Sequence, residues 1–330
     1  AGTDARRKAV AETVIALAGA GRDIAALVAR GAIEGGFGAV RRASDTGDDQ
    51  KELDVRSNDL IIEALKRAPV ALFGSEEMDA VVPMKSGAPL AVAVDPLDGS
   101  SNIETNVSIG TIFSILPDLP GGTSLLQPGV NQLAAGYILY GPQTLLVLTV
   151  GEGTDIYGLD RDTGTFVLAR RRVAIAPQAK EFAINGSNVR HWDAVIRQYI
   201  EDCLAGSFGP RGRDFNTRWI ASMVAEAHRI LTRGGIYLYP ADGRRGYERG
   251  RLRLVYEANP IGFIVEQAGG RCSTGQERIL DMVPEALHQR VPLIFGSAEE
   301  VAHVEGLYRD PPVTGAERSP LFASRGLLRA

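Results

Sequence analysis

The chain has 330 residues, 45% of them apolar, with 40 acidic against 36 basic side chains and a net charge of −4; the pI is about 5.7. It is long enough for two domains and apolar enough for a sizeable core, while its acidity excludes the broad basic face of a general nucleic-acid binder. Two cysteines without a C-x-x-C, and four histidines scattered along the chain, exclude a disulfide framework and a zinc site.

The first stretch, AGTDARRKAVAETVIALAGA, carries charges where a signal peptide would be uninterruptedly apolar. Its Val10, Val14 and Leu17 recur at helical spacing, and Gly19 with Gly21 predicts a break into two helices. SDTGDDQKELD reads as an acidic loop, and RSNDLIIEALKRAP as a helix capped by Ser57 with Pro69 beyond its end. PVALFGSEE and PLAVAVDPLDGSSN are apolar runs that end on acids, and VSIGTIFSIL, AAGYILYG and TLLVLTV follow as strands. GTDIYGLDRDTGTFVLARRRVAI reads as strand, turn and strand. The second half alternates: FAINGSN (strand and loop), WDAVIRQYIEDCLAG and IASMVAEAHRILTRG (helices stopped by glycine), and GIYLYP (strand). NPIGFIVEQAGG then reads as a helix with Asn259 as N-cap and Pro260 first, VPLIFGS as a strand and AEEVAHVEGLY as a helix. TGAERSPLFASRGLLRA carries only weak structural signals. The pattern is a layered α/β or α+β fold in two halves that meet near residue 173. No run approaches the 18 apolar residues of a membrane span, and the expectation is a soluble, cytoplasmic protein.

The strand tips carry the chemistry. Pro96 cannot join a ladder, which predicts that the strand stops at Asp95. Gly99 permits a left-handed backbone, and Ser100, Ser101 and Asn102 follow as capping residues, a setting suited to phosphate. Asp95 and Asp98 would repel each other unless a cation sat between them, and oxygen-only ligands point to Mg²⁺ or Mn²⁺. Read alone, D-x-x-D is also an ordinary polar turn, and the pair Glu76–Glu77 an ordinary surface pair. Two such tips side by side are less ordinary, because open α/β sheets bind ligands at the carboxyl ends of their strands.

LDVRSNDLII, GSEE, DPLDGSSNIETNVSIGTIFSI, SMVAEAHRIL, GGIYLYP and LRLVYEANPIGFIVEQAGG, in that order, resemble the class I fructose-1,6-bisphosphatases. The likeness runs from about residue 50 to residue 300. D-P-x-D-G-S/T-S/T-N marks the wider superfamily that includes inositol monophosphatases, whereas the other segments belong to the bisphosphatase branch. The resemblance implies an N-terminal α+β domain (1–173) and a C-terminal α/β/α domain (174–330). It implies Mg²⁺ (or Mn²⁺), two to three ions per site, held by Glu76, Glu77, Asp95, Asp98, Glu257, the carbonyl of Leu97 and Asp49, with Asp48 the alternative in a loop one residue shorter. It casts Asp54 with Glu77 as activators of water, and Asp98, Gly99, Ser100 and Ser101 as the 1-phosphate site. Asn185, Asn188, Arg218, Tyr239 and Arg251 would take the 6-phosphate. The family arginine matching Arg218 reaches into a neighbouring subunit, which implies a homotetramer.

There are departures. The family usually has tyrosine at Asn188 and Trp219 and lysine at Arg251; an arginine still binds phosphate, and bidentately. Members inhibited by AMP carry a Gly-Thr-Gly helix start, a Lys-Tyr pair and a later arginine. This chain has ARGAIEGGFG, Pro89 with Leu90, and Pro117, so no AMP inhibition is expected at that site. The cysteine-bearing insertion of light-regulated chloroplast members is also missing, so thioredoxin control is not expected. The implied activity is hydrolysis of fructose 1,6-bisphosphate, in gluconeogenesis or the Calvin cycle. A dual fructose/sedoheptulose bisphosphatase is a close variant. An inositol monophosphatase-like enzyme would show W-D-x-A-A-G where this chain has YEANPIGF, and a non-catalytic sugar-phosphate-binding regulator would tolerate loss of the acids, all of which are present. No P-loop or complete G-x-G-x-x-G occurs, so kinase and dinucleotide readings have no support.

Overall fold

The computed structural model describes residues 2–31, 33, 40–43 and 49–311. Asp48, most of the stretch GAIEGGFG and the C-terminal TGAERSPLFASRGLLRA lie outside the described residues. The first half contains α1 (Gly2–Arg30), β1 (Val40–Ala43), β2 (Asp49–Lys51), α2 (Glu52–Leu65), β3 (Val70–Ser75), β4 (Val82–Pro83), β5 (Leu90–Asp98) and β6 (Ile109–Pro117), then β7 (Ala134–Tyr140), β8 (Thr144–Thr149), β9 (Thr154–Asp160) and β10 (Thr165–Val173). The second contains β11 (Glu181–Ala183), α3 (Ala194–Leu204), β12 (Asn216–Thr217), α4 (Met223–Arg233), β13 (Ile236–Tyr239) and β14 (Leu252–Arg253), then α5 (Asn259–Gln267), β15 (Arg271–Ser273), β16 (Arg290–Val291), β17 (Leu293–Gly296) and α6 (Ala298–Arg309).

Eight strands form one sheet in the order β10-β9-β8-β7-β6-β5-β3-β4, and five form another in the order β12-β11-β13-β17-β15. The large sheet is antiparallel except where β3 runs parallel to β5. Apolar faces stack these elements into five layers. α1 and α2 cover one face of the large sheet, through Leu17, Ile24, Leu53 and Ile61 against Phe73, Val92 and Ile138. α4 and α5 fill the space between the two sheets, through Val224, Ile230, Ile261 and Ile264 against Ile112, Tyr137 and Phe295. α3 and α6 close the far face of the small sheet. The layered α/β reading of the sequence is therefore the fold.

Four local readings change. α1 does not break at its glycines: it is one 29-residue helix. A Cβ on Gly21 would stand 2.1 Å from Cδ1 of the buried Ile138, so Gly21 lets the helix lie close to β7, whereas nothing stands within 4 Å of Gly19. Tertiary packing thus outweighs the roughly 1 kcal/mol each helical glycine costs. Ser57 is not a cap: α2 starts at Glu52, and Ser57 lies fully buried in its interior. β5 does not stop at Asp95. It passes through a bulge between Asp95 and Asp98, where Pro96 needs no ladder partner and its carbonyl accepts the Thr111 hydroxyl at 2.8 Å. Asn259 is not an N-cap either, because the chain is already helical in a π-type turn over Leu254–Ala258, which runs straight into α5.

Gly21→Ala should destabilise the protein by about 1–3 kcal/mol through overpacking, while Gly19→Ala should stabilise it by up to about 1 kcal/mol. Paired urea unfolding curves check both signs.

Candidate metal centre and active site

The parallel register pairs Ser75 with Val94, and the Glu76 N–H continues the ladder to the Val94 carbonyl at 3.0 Å. Glu76 therefore emerges beside Asp95 at the neighbouring carboxyl end. The π-type turn brings in Glu257 from the second half of the chain. One carboxylate oxygen from each of Glu76, Asp95 and Glu257 lies within 4.8 Å of the other two. Asp95 and Glu257 are buried and Glu76 is half-buried. Wide turns of this kind often mark functional sites, and here the turn aims an acid at two strand ends.

Asp98 is tied to the second half of the chain. It accepts the backbone N–H of Val224 at 2.8 Å and the Ser222 hydroxyl at 3.3 Å, so a carboxylate of the first half sits at the N-terminus of α4. Gly99 follows with φ 79°, and a Cβ there would meet the Ser222 side chain at 3.1 Å; glycine serves both the left-handed backbone and the close approach. Ser100–Asn102 form one 3₁₀ turn, and Asn102 Nδ2 donates to the Ala221 carbonyl at 2.9 Å. Leu97 is buried in the bulge, its N–H donating to Asp95 Oδ1 at 2.9 Å.

Removal from water dominates the electrostatics of these acids. Burial, then the charges of Glu76, Asp98, Glu257 and Glu77, hold the Asp95 carboxyl well above the usual range. Burial pushes Asp98 up to about 6 against the opposing hydrogen bonds from Val224 and Ser222. Glu257 is raised well above its usual value by burial and Glu76, against the backbone N–H and guanidinium of Arg253. Arg253 is the cation beside them: it is buried, with Nη2 3.5 Å from Glu76 Oε1. One guanidinium does not balance four or five carboxylates. Oxygen-only donors, convergence and unrelieved repulsion fit a hard divalent cation. Arg253 was missed by the sequence reading because LRLV gives no sign that an arginine directly before an apolar pair turns inward.

Asp54 is buried in the first turn of α2, a helix that packs on β3 and β5. Glu77 is half-buried, its N–H donating to Ser75 Oγ at 3.2 Å. Asp49 lies in β2, directly ahead of α2.

Of the five residues read for a second phosphate, three come together. Asn185, Asn188 and Tyr239 line one cleft with Trp192, Leu238 and Asp242. Asn185 caps the turn Gly186–His191 that presents Asn188. Trp219 stacks on Tyr237 with ring centres 5.9 Å apart, and both tilt against Tyr239. Arg218 and Arg251 are not among the cleft-lining residues. Arg218 lies 3.7 Å from Glu181, a carboxylate it shares with Arg229 and Arg233. Arg251 lies over Tyr247, 4.8 Å from the ring centre. Asp242 and Trp192 were missed, since each reads locally as a turn or core residue. Cys203 and Cys272 are free and buried. Among the described residues no helix is long and apolar enough to cross a membrane.

What the fold and the site define together is a layered α/β protein with an acidic centre suited to a divalent cation and a cleft lined by Asn185, Asn188, Tyr239 and Asp242. The family described as fructose-1-6-bisphosphatase, N-terminal domain, matches residues 4–171, and its C-terminal domain matches residues 175–309. Fructose-1,6-bisphosphatase class 1 of Sinorhizobium medicae (strain WSM419) is 57% identical over 97% of this chain and 93% of its own length. That of Azorhizobium caulinodans (strain ATCC 43989) is 57% identical over 93% of this chain and 96% of its own. The holo-form crystal structure of Leishmania major fructose-1,6-bisphosphatase is 34% identical, with a TM-score of 0.86 over 92% of this chain and 95% of that one. The chain belongs to the class 1 fructose-1,6-bisphosphatase family.

A carboxyl whose folded pKa is raised above its unfolded value near 4 stabilises the fold at low pH and loses that contribution as pH rises through the folded value. For Asp98 that loss begins near pH 4 and is complete a little above pH 6, and Asp95 and Glu257, raised well above their usual values, act in the same direction. The Tm of EDTA-treated protein should therefore fall between about pH 5 and pH 8. The gain in Tm on adding Mg²⁺ should be larger at pH 8 than at pH 5. Differential scanning calorimetry at the two pH values, with and without the ion, checks this; an equal gain at both would contradict it.

Proposed function

We propose that this chain hydrolyses the 1-phosphate of fructose 1,6-bisphosphate to fructose 6-phosphate and phosphate, at the centre formed by Glu76, Asp95 and Glu257. The observation that carries the reading is the convergence of these three carboxylates, from two strand ends and the π-type turn, in a chain 57% identical to class 1 bisphosphatases. The ions are Mg²⁺ or Mn²⁺, two to three per site, with Glu77, Asp98, the Leu97 carbonyl and Asp49 completing the ligand set. When bound, such ions draw charge from the phosphate and make a nearby water more acidic. The protein's own share is positional and proton-handling. Asp54, buried in α2, together with Glu77 takes the proton of the attacking water. Asp98, Gly99, Ser100 and Ser101 hold the 1-phosphate beside the start of α4. Asn185, Asn188 and Tyr239 receive the distal phosphate, with Arg251 supplying charge and Arg218 serving a neighbouring subunit of a homotetramer. The site then lies where an N-terminal α+β domain (1–173) meets a C-terminal α/β/α domain (174–330), in an enzyme of the cytoplasm.

The test is phosphate release from fructose 1,6-bisphosphate, with sedoheptulose 1,7-bisphosphate alongside, in Mg²⁺ and in EDTA. Turnover of the fructose substrate that EDTA abolishes is the expected result, and the ratio of the two rates reports substrate breadth. Asp54→Asn should lower kcat about 10²- to 10⁴-fold with little change in Tm. A folded protein that binds Mg²⁺ and turns over neither sugar would overturn the reading.

AMP should not inhibit through the place where AMP-sensitive relatives bind it. Pro89 and Pro117 offer no side-chain donor, and Leu90 is fully buried in β5. Rates measured with and without millimolar AMP check this; cooperative inhibition mapped to α1 would contradict it.

A further inference from the structure

The segment between β13 and β14, ADGRRGYERGR, is the most arginine-rich loop of the described chain, and two of its four arginines pack on one ring. The Arg244 guanidinium carbon lies 4.2 Å from the Tyr247 ring centre and that of Arg251 lies 4.8 Å from it. The two cations are thus no more than about 9 Å apart, the two distances laid end to end. Each is within the range over which an aromatic face attracts a cation.

The loop is closed on itself and tied to the cleft. The Asp242 N–H donates to the Tyr247 carbonyl at 3.2 Å, the Tyr247 N–H to the Arg244 carbonyl at 2.9 Å, and the Gly250 N–H to the Tyr247 carbonyl at 2.9 Å. The Gly243 N–H reaches the carbonyl of His191, the end of the turn that presents Asn188. Gly250, at φ 80°, lies so close to β16 that a Cβ would meet Val291 at 2.3 Å, which fixes the backbone just before Arg251. Asp242 lines the cleft beside Tyr239 and Asn188. Its carboxylate is gripped by Arg244, with Nε at 3.0 and 3.1 Å from the two oxygens and Nη2 also bonded.

We propose that Tyr247 is a positioning residue for the distal phosphate: its ring holds Arg244 and Arg251 together at the rim of the Asn185–Asn188–Tyr239 cleft. This rests on the bisphosphatase reading above. The carboxylate of Asp242 occupies Arg244 in the free protein, and an arriving phosphate dianion exchanges with it. No bond to the sugar is made by Tyr247 itself. The contribution is to ground-state binding of the end of the substrate that does not react, so it appears in KM and not in kcat.

The test compares wild type, Tyr247→Phe and Tyr247→Ala on fructose 1,6-bisphosphate and on fructose 1-phosphate, which lacks the distal phosphate. In Tyr247→Ala the KM for the bisphosphate should rise roughly 3- to 30-fold with kcat little changed, matching the loss of one or two cation–ring contacts. The preference for bisphosphate over monophosphate, as a ratio of kcat/KM, should fall by the same factor. Tyr247→Phe keeps the ring face and should restore both. Arg244→Gln leaves the ring and the loop in place and should lower the same ratio, which keeps the test decisive if Tyr247→Ala does not fold. The proposal is overturned by an unchanged ratio in Tyr247→Ala and Arg244→Gln, by parallel losses on both substrates, or by a phenylalanine variant as poor as alanine. Wild-type protein inactive on the bisphosphate would instead overturn the reading on which it rests.

Discussion

Carboxylates that water no longer solvates, gathered at two adjacent strand ends, are the constraint around which the rest of this molecule is arranged. Asp95, Asp98 and Glu257 are each buried, and each is pushed toward its neutral form mainly by that burial. Their mutual repulsion adds to the cost, and Arg253 offsets only part of it. A polypeptide keeps such a cluster only if its surroundings are stable enough to hold it and something else supplies positive charge. The rigidity comes from the large sheet, where every residue of β5 is buried and one parallel neighbour, β3, sets Glu76 beside Asp95.

The same constraint ties the two halves of the chain together. Asp98 belongs to β5 but is satisfied by α4, and Glu257 belongs to the second half but faces the strand ends of the first. Behind these acids, α4 and α5 share one apolar core with both sheets. Packing that buries Val224 and Ile261 thus fixes the separation of the acids. A repacking of that inner layer would move the chemistry, not only soften the fold.

The distal cleft is built by different physics. Its walls combine apolar side chains with the amides of Asn185 and Asn188, the phenol of Tyr239 and one carboxylate, Asp242, while Arg244 and Arg251 lie outside the lining on Tyr247. Arg244 is bonded to that carboxylate, so the positive charge is set back from the cleft and partly balanced there. The acidic centre and the cleft are thus chemically distinct, one a cluster of buried carboxylates and the other a mixed polar and apolar surface with a single carboxylate.

The sequence by itself determined much of this. Apolar runs ending in GSEE and DPLDGSSN placed four acids at strand tips, and the pattern located the helices and the longer strands, but not the short β4, β12 and β15. Where it erred, the cause was in three cases a partner elsewhere in the fold, the exception being Asn259, which the adjoining π-type turn makes interior. Ile138 turns Gly21 from a helix breaker into a contact, the core above α2 buries Ser57, and β6 carries β5 through Pro96 as a bulge. Only the tertiary structure decided that Glu257 joins Glu76 and Asp95, that Arg253 turns inward, and that Asp242 and Trp192 line the cleft with Asn188 and Tyr239. Local pattern records which face of an element is apolar. It does not record which two elements, more than a hundred residues apart, the packing of those faces brings together.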